Sequence, residues 1–183
     1  GFTTAGVPSG FSTPVLYDSE AGSWGVNDVL SILNGGINLV NHCGHSNLYS
    51  VMRLATWDVP SLTNDGVSAG FFVCYSQGCY AASFDNRDEA GTIHADDCIA
   101  EELVTDAHGA VAFIGNTRLG WDAPGSTCGV SQFFDRQFFD AIFGEGITRL
   151  GDALEDSRID NIPYIGYDAV RWVYYGMCLF GDP

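Results

Sequence analysis

Short apolar runs divide this chain. They lie at residues 36–40, 71–75 and 110–115, each flanked by glycines or polar residues. Runs of this length read as buried strands rather than helices. Residues 13–17 add a candidate edge strand. Helical spacing recurs at 27–34, with Asn27 as N-cap and Gly35 just past the end. It recurs at 98–104, where Asp96 and Asp97 are placed to cap, at 131–143, ended by Gly144, and at 147–157. Residues 170–179 read as a last helix or buried segment. Residues 1–12 form a loose lead-in rich in Gly, Ser, Thr and Pro. Residues 48–66 are a mixed connection ending in the turn Asn64-Asp65-Gly66, 83–95 a polar surface loop, and 116–127 a further loop. Alternating strands and helices predict an α/β domain over 13–183, with a mostly parallel central sheet flanked by helices.

That architecture gives weight to the residues just past each strand, because function in open α/β sheets gathers beyond the carboxyl ends of the strands. Asn41-His42-Cys43-Gly44-His45-Ser46-Asn47 comes after the first run and Gln77-Gly78-Cys79-Tyr80 after the second. A histidine after one strand and a cysteine after another suit a thiol nucleophile and its base. Cys74 falls inside an apolar run and reads as core. Cys79 lies where the chain turns and backbone N–H groups converge, which favours a thiolate and can hold an oxyanion. Of the histidines, His45 sits on the turn next to Gly44, where an imidazole can act as general acid or base. His42 is its competitor; if the extended run continues through it, its ring packs inward. A zinc site from His42, Cys43 and His45 would need a fourth ligand, and none is signposted. Beyond the third strand, Asn116-Thr117-Arg118-Leu119-Gly120-Trp121 brings an indole and a guanidinium to the same sheet edge, where they can wall a pocket.

Composition narrows the partners. A chain of 183 residues with 46% hydrophobic content builds one real core. The balance of 23 acidic residues against 7 arginines, with no lysine at all, gives a net charge of −16. No basic footprint for nucleic acid exists. Such acidity fits a salty or extracellular setting, and it would attract cationic partners. No apolar run approaches the roughly 18 residues of a membrane span, and no N-terminal signal pattern is present. Six cysteines lack metal-type spacing, and some are expected in disulfides if the protein is exported.

The ordered set of Asn41-His42-Cys43-Gly44-His45, Gln77-Gly78-Cys79, Asp97-Cys98-Ile99-Ala100-Glu101-Glu102, the stretch 110–121, Ser131-Gln132-Phe133-Phe134-Asp135-Arg136 and Leu179-Phe180-Gly181-Asp182-Pro183 resembles the gingipain-like cysteine peptidases of the caspase-like clan. The resemblance runs from about residue 27 to the end. It implies a caspase-like three-layer sandwich and a secreted or cell-surface endopeptidase working through a Cys–His dyad. By that likeness Cys79 is the nucleophile, His45 the acid–base, and the backbone N–H groups of Gly44 and Cys79 the oxyanion donors. Asn116, Thr117, Leu119, Gly120 and Trp121 would wall the pocket for the residue before the scissile bond. The substrate is then a peptide or protein, and an N-terminal subdomain or prosegment of the same precursor is an expected partner. No cofactor is expected for catalysis, and calcium has room only as a structural ion.

Two positions depart from the family pattern: Ser46 and Ala82 stand where glycine is usual. The resemblance also maps to the second, catalytic subdomain, which places the acidic residues that orient the histidine and read basic side chains upstream. The alternative is an inactive module with a structural or interaction role in an extracellular assembly.

Overall fold

The computed structural model describes residues 6–18 and 24–183. Four strands form the central sheet in the order β1 (Leu39–His42), β5 (Phe72–Ser76), β6 (Ala110–Asn116) and β7 (Met177–Gly181). The β1–β5 and β5–β6 pairs are parallel and β6–β7 is antiparallel. The sheet is mostly parallel, as the alternation of elements predicts.

Side-chain alternation along β5 and β6 explains the layers. Phe72, Cys74 and Phe113 face one core, with Val29 and Leu33 of α1 (Val26–Asn34) and Ile99 and Leu103 of α2 (Ile99–Thr105). Tyr75 and Ile114 face the other, with Phe134 and Phe138 of α3 (Val130–Phe143), Ala153 of α4 (Leu150–Asn161) and Val173 of α5 (Asp168–Gly176). A strand with both faces buried reads as a continuous apolar run, which is why these two were legible in sequence.

Several expectations are corrected. Residues 13–17 form no strand, and they pair with nothing among the described residues. The first helix is capped at Gly25, whose N–H donates to Asp28 at 2.7 Å, not at Asn27. Asp96 and Asp97 do not cap α2; Glu101 reaches back to the N–H of Cys98 at 3.0 Å. The segment 170–179 holds both the end of α5 and the start of β7, because its apolar residues serve a helix face and then a strand. The segment 48–66 contributes to a small meander that starts just before it, where β2 (Ser46–Asn47), β3 (Ser50–Val51) and β4 (Leu54–Ala55) pair antiparallel. The lead-in expected over 1–12 falls partly outside the described residues. All six cysteines are free thiols.

Candidate active site

Because β1 and β5 run parallel, their carboxyl ends emerge at one sheet edge, with His42 in register with Ser76. His42 is the last residue of its strand and half-buried. Its Nδ1 lies 2.9 Å from Ser76 Oγ, which also accepts the N–H of Gly78 at 3.2 Å. Burial pushes the His42 imidazole down to about 4, with His45 adding to the shift and Asp18 opposing it. The contact with Ser76 braces the strand end. His42 is thereby occupied in structure, as the inward-packing alternative expected.

The chain then exposes Cys43, Gly44 and His45 before β2 begins. Gly78 and Cys79 come after β5 on the neighbouring turn, and the two turns touch. Ser46 Oγ donates to the carbonyl of Cys79 at 2.7 Å. The approach is so close that a Cβ on Gly78 would fall 2.0 Å from Ser46 Oγ. Tyr80, next to the thiol, takes a left-handed φ of +60° and reverses the chain sharply after Cys79.

The third strand supplies the opposite support. Asn116 Nδ2 donates to the carbonyls of Gln77 at 3.1 Å and Gly78 at 3.0 Å. A Cβ on Gly120 would meet the Gln77 oxygen at 2.1 Å, so only glycine lets this loop lie against the Cys79 turn. There the N–H of Gly120 donates to Cys79 Sγ at 3.4 Å. The thiol in turn lies 4.0 Å from the Gly120 carbonyl oxygen. The N–H groups of Gly44 and Cys79 have no acceptor among the described residues, which leaves both able to bind a developing oxyanion.

His45 and Cys79 line one groove of about 740 Å³, together with Tyr49, Tyr80, Asp88, Glu89, His94 and Leu119. Of the expected pocket residues, Leu119 lines this groove. Asn116 is buried as a brace, and Gly120 contacts the sulfur. Thr117 and Arg118 open instead onto a separate hollow with Arg171, Trp172 and Tyr175. The Trp121 main chain is tied to Ser131 at the start of α3 while its indole stays exposed. Arg118 does not wall the groove. Its guanidinium grips both Asp85 oxygens at 2.7 and 3.0 Å, and its carbonyl accepts the N–H of Tyr80 at 2.9 Å.

Tyr49, Asp88, Glu89 and His94 were not singled out in sequence. They come from the segments read as a connection and a surface loop. His94 Nε2 is 2.8 Å from Asp88 Oδ2 and its ring meets Tyr49 edge-on at 5.4 Å between centroids. This hydrogen bond is the main cause that holds the Asp88 carboxyl below the usual carboxylate range. The available signal was a histidine and two acidic residues within one short loop.

Away from the groove, carboxylate oxygens of Glu145, Asp156 and Asp160 lie within 4.8 Å of one another. Hard oxygen ligands of this kind suit calcium. No part of the groove chemistry depends on them.

The chain matches the model of Peptidase family C25 over residues 3–183. A search of the curated proteins finds no match. Two solved structures share its fold. The crystal structure of the Arg specific cysteine proteinase gingipain R superposes with a TM-score of 0.71 at 20% identity, covering 88% of this chain and 36% of that one. The complex of Porphyromonas gingivalis RgpB pro- and mature domains gives 0.70 at 17% identity, with the same coverage of 88% and 36%. The chain therefore spans little more than a third of the gingipain chains it resembles.

Proposed function

The chain belongs to Peptidase family C25, and from that premise we propose that it is a cysteine endopeptidase domain with Cys79 as nucleophile and His45 as acid–base. The carrying observation is that Cys79 and His45 line one open groove, beside two unpaired N–H groups at the ends of parallel strands.

His45 takes the proton from Cys79 Sγ. The thiolate attacks the peptide carbonyl carbon, and the N–H groups of Gly44 and Cys79 hold the oxyanion. Collapse breaks the C–N bond as His45 gives its proton to the departing amine, leaving a thioester. His45 then takes a proton from water, whose oxygen attacks the thioester carbonyl. The acid is released and the thiol restored. Leu119 and the groove aromatics offer apolar contact to the bound peptide.

A peptide or protein is the substrate in this reading. A prosegment of the same precursor is a fitting partner, since a related protein is known in a complex of pro- and mature domains. No helix among the described residues is long and apolar enough to cross a membrane. Placement outside the cell accords with the acidity and the family likeness.

The test is a thiol-directed peptidyl probe and a peptide hydrolysis assay on the chain, alone and with any preceding segment of its precursor. Labelling should map to Cys79, and Cys79→Ala and His45→Ala should abolish hydrolysis. Labelling that persists in Cys79→Ala would overturn the nucleophile. Absence of hydrolysis in both forms would favour the inactive interaction module.

A further inference from the structure

Asn116 ends β6 and is only 1% exposed, so substrate does not touch it. Its main chain is fixed by the sheet. It pairs with Met177 of β7, and its carbonyl accepts the N–H of Ala82 at 3.2 Å. Its side-chain nitrogen donates to two consecutive carbonyls, those of Gln77 at 3.1 Å and Gly78 at 3.0 Å. Carbonyl oxygens only accept, so these partners settle which end of the amide is the NH₂. Its Oδ1 is buried with no partner among the described residues. One half of the amide is thus satisfied twice, and the other half costs folding free energy.

The three peptide units around Cys79 are held differently. The Gln77–Gly78 unit is held at both ends: Asn116 takes the carbonyl, and the Gly78 N–H donates to Ser76 Oγ at 3.2 Å. The Cys79–Tyr80 unit is also held at both ends. Ser46 Oγ takes its carbonyl at 2.7 Å, and the Tyr80 N–H donates to the Arg118 carbonyl at 2.9 Å. The middle unit, Gly78–Cys79, is held at one end. Asn116 grips the Gly78 carbonyl, and the Cys79 N–H has no acceptor among the described residues. No described peptide bond is cis. In a trans peptide the C=O and N–H share one plane and point in opposite directions. Drawing the Gly78 carbonyl towards β6 therefore turns the Cys79 N–H away from the buried amide. A glycine on one side leaves this unit free to rotate unless something grips it.

We propose that Asn116 is a positioning residue whose side-chain amide fixes the Gly78–Cys79 peptide plane and so aims the Cys79 N–H at the oxyanion. This rests on the peptidase reading, which supplies the oxyanion. Without the amide the plane swings about its flanking single bonds and the N–H loses its aim. The thiol itself stays in place, because the Gly120 N–H holds the sulfur and the Cys79–Tyr80 unit is held independently of Asn116.

The experiment compares wild type with Asn116→Leu, which keeps the branched shape and removes both donors. Three quantities are read: alkylation rate of Cys79 by iodoacetamide, affinity for peptide aldehydes ending in argininal or leucinal, and the kinetics of peptide hydrolysis. Alkylation displaces iodide from a saturated carbon and builds no oxyanion. An aldehyde instead bonds the Cys79 sulfur to its carbonyl carbon, and the thiol proton ends on the oxygen, which takes the oxyanion's place. Alkylation should stay within about twofold of wild type. Aldehyde affinity should weaken by about tenfold, and kcat should fall about tenfold or more with KM within about twofold. Alkylation slowed in step with the other two would make Asn116 merely structural and overturn the proposal, as would unchanged aldehyde affinity and kcat. If Asn116→Leu does not fold, Asn116→Val removes the same donors in a side chain suited to a strand, and the same results overturn the proposal there. If wild type binds an aldehyde but hydrolyses nothing, the peptidase reading fails while weakened binding in the variant still carries the positioning. If it hydrolyses peptides but binds neither aldehyde, kcat against alkylation decides. If it does neither, both readings fall.

Discussion

Ser46 donates its hydroxyl to the main-chain carbonyl of Cys79 at 2.7 Å. This one bond joins the turn that carries His45 to the turn that carries the thiol. The family pattern has glycine there, so this chain has replaced backbone freedom with a side-chain tie. Ser46→Ala removes the tie and leaves the carbonyl without it. We expect a loss of about 1 kcal/mol in stability and a several-fold lower kcat, checked by thermal melting and steady-state kinetics. Wild-type kcat in Ser46→Ala would show that the turns are held by other contacts alone.

Gly78→Ala tests the same junction sterically. The new methyl overlaps Ser46 Oγ, at 2.0 Å, and also meets the Gly44 carbonyl oxygen at 3.0 Å. We expect this variant to lose more activity than Ser46→Ala. The pair Ser46→Gly with Gly78→Ala should recover part of the loss, because the serine hydroxyl is then gone. No recovery would place the damage in the backbone rather than in the serine contact.

Arg118 welds the loop after β6 to the segment after Cys79. Its fork grips Asp85, and this bond is the main cause that holds the Asp85 carboxyl below its usual range. Arg118→Lys keeps the charge and loses the two-point grip. The pair is partly exposed, so the stability change should stay within about 1 kcal/mol. KM for peptides should rise several-fold as Leu119 and Gly120 loosen over the groove, measured at fixed ionic strength.

Two buried groups give stability opposite pH dependences. Burial raises the Asp135 carboxyl from 3.8 to about 6. The folded chain thus keeps a proton that the unfolded chain releases, and stability falls as pH rises from about 4 to 6. Burial lowers the His42 ring from 6.5 to about 4. The unfolded chain there takes a proton that the folded chain refuses, so stability falls as pH drops from 6.5 to about 4. Each penalty is worth about 3 kcal/mol at full extent, and in wild type their opposite slopes offset one another between about pH 4 and 6. Asp135→Asn should unmask His42, so its melting temperature should drop on acidification from pH 6.5 to 4 more steeply than that of wild type. Parallel curves would show that one of the two shifts is absent.

Ala82, the second departure from the family pattern, has an ordinary explanation. It is fully buried, its N–H donates to the Asn116 carbonyl at 3.2 Å, and its φ is not positive. A methyl group fits there, so the position does not require glycine. The positive φ falls at Tyr80 instead, a position that no sequence pattern marked.

Periodicity in the chain was enough to find β5, β6 and α3, because elements buried on a whole face or on both faces must be apolar along that face. It was also enough to bring His45 and Cys79 forward, because both come just after such runs and lie on glycine-bearing turns. It misplaced the helix caps, since a cap depends on which carboxylate reaches back, and Asp28 and Glu101 do so from inside their helices. It merged α5 with β7 because a dense run of apolar and aromatic residues can serve either period.

What the amino-acid sequence determined is the layered α/β frame and the two turns that carry the candidate chemistry. Burial of apolar residues dictates both, and burial leaves a one-dimensional trace. Only the tertiary structure decided which side chains act as braces and which remain free. His42 is half-buried against Ser76, Arg118 is held by Asp85, and Asp135 is buried in the face of α3. Tyr49, Asp88 and His94 reach the groove from loops without regular pattern. A polar group's role is set by the partner it meets, and partners far apart in sequence meet only when the sheet and α3 have assembled.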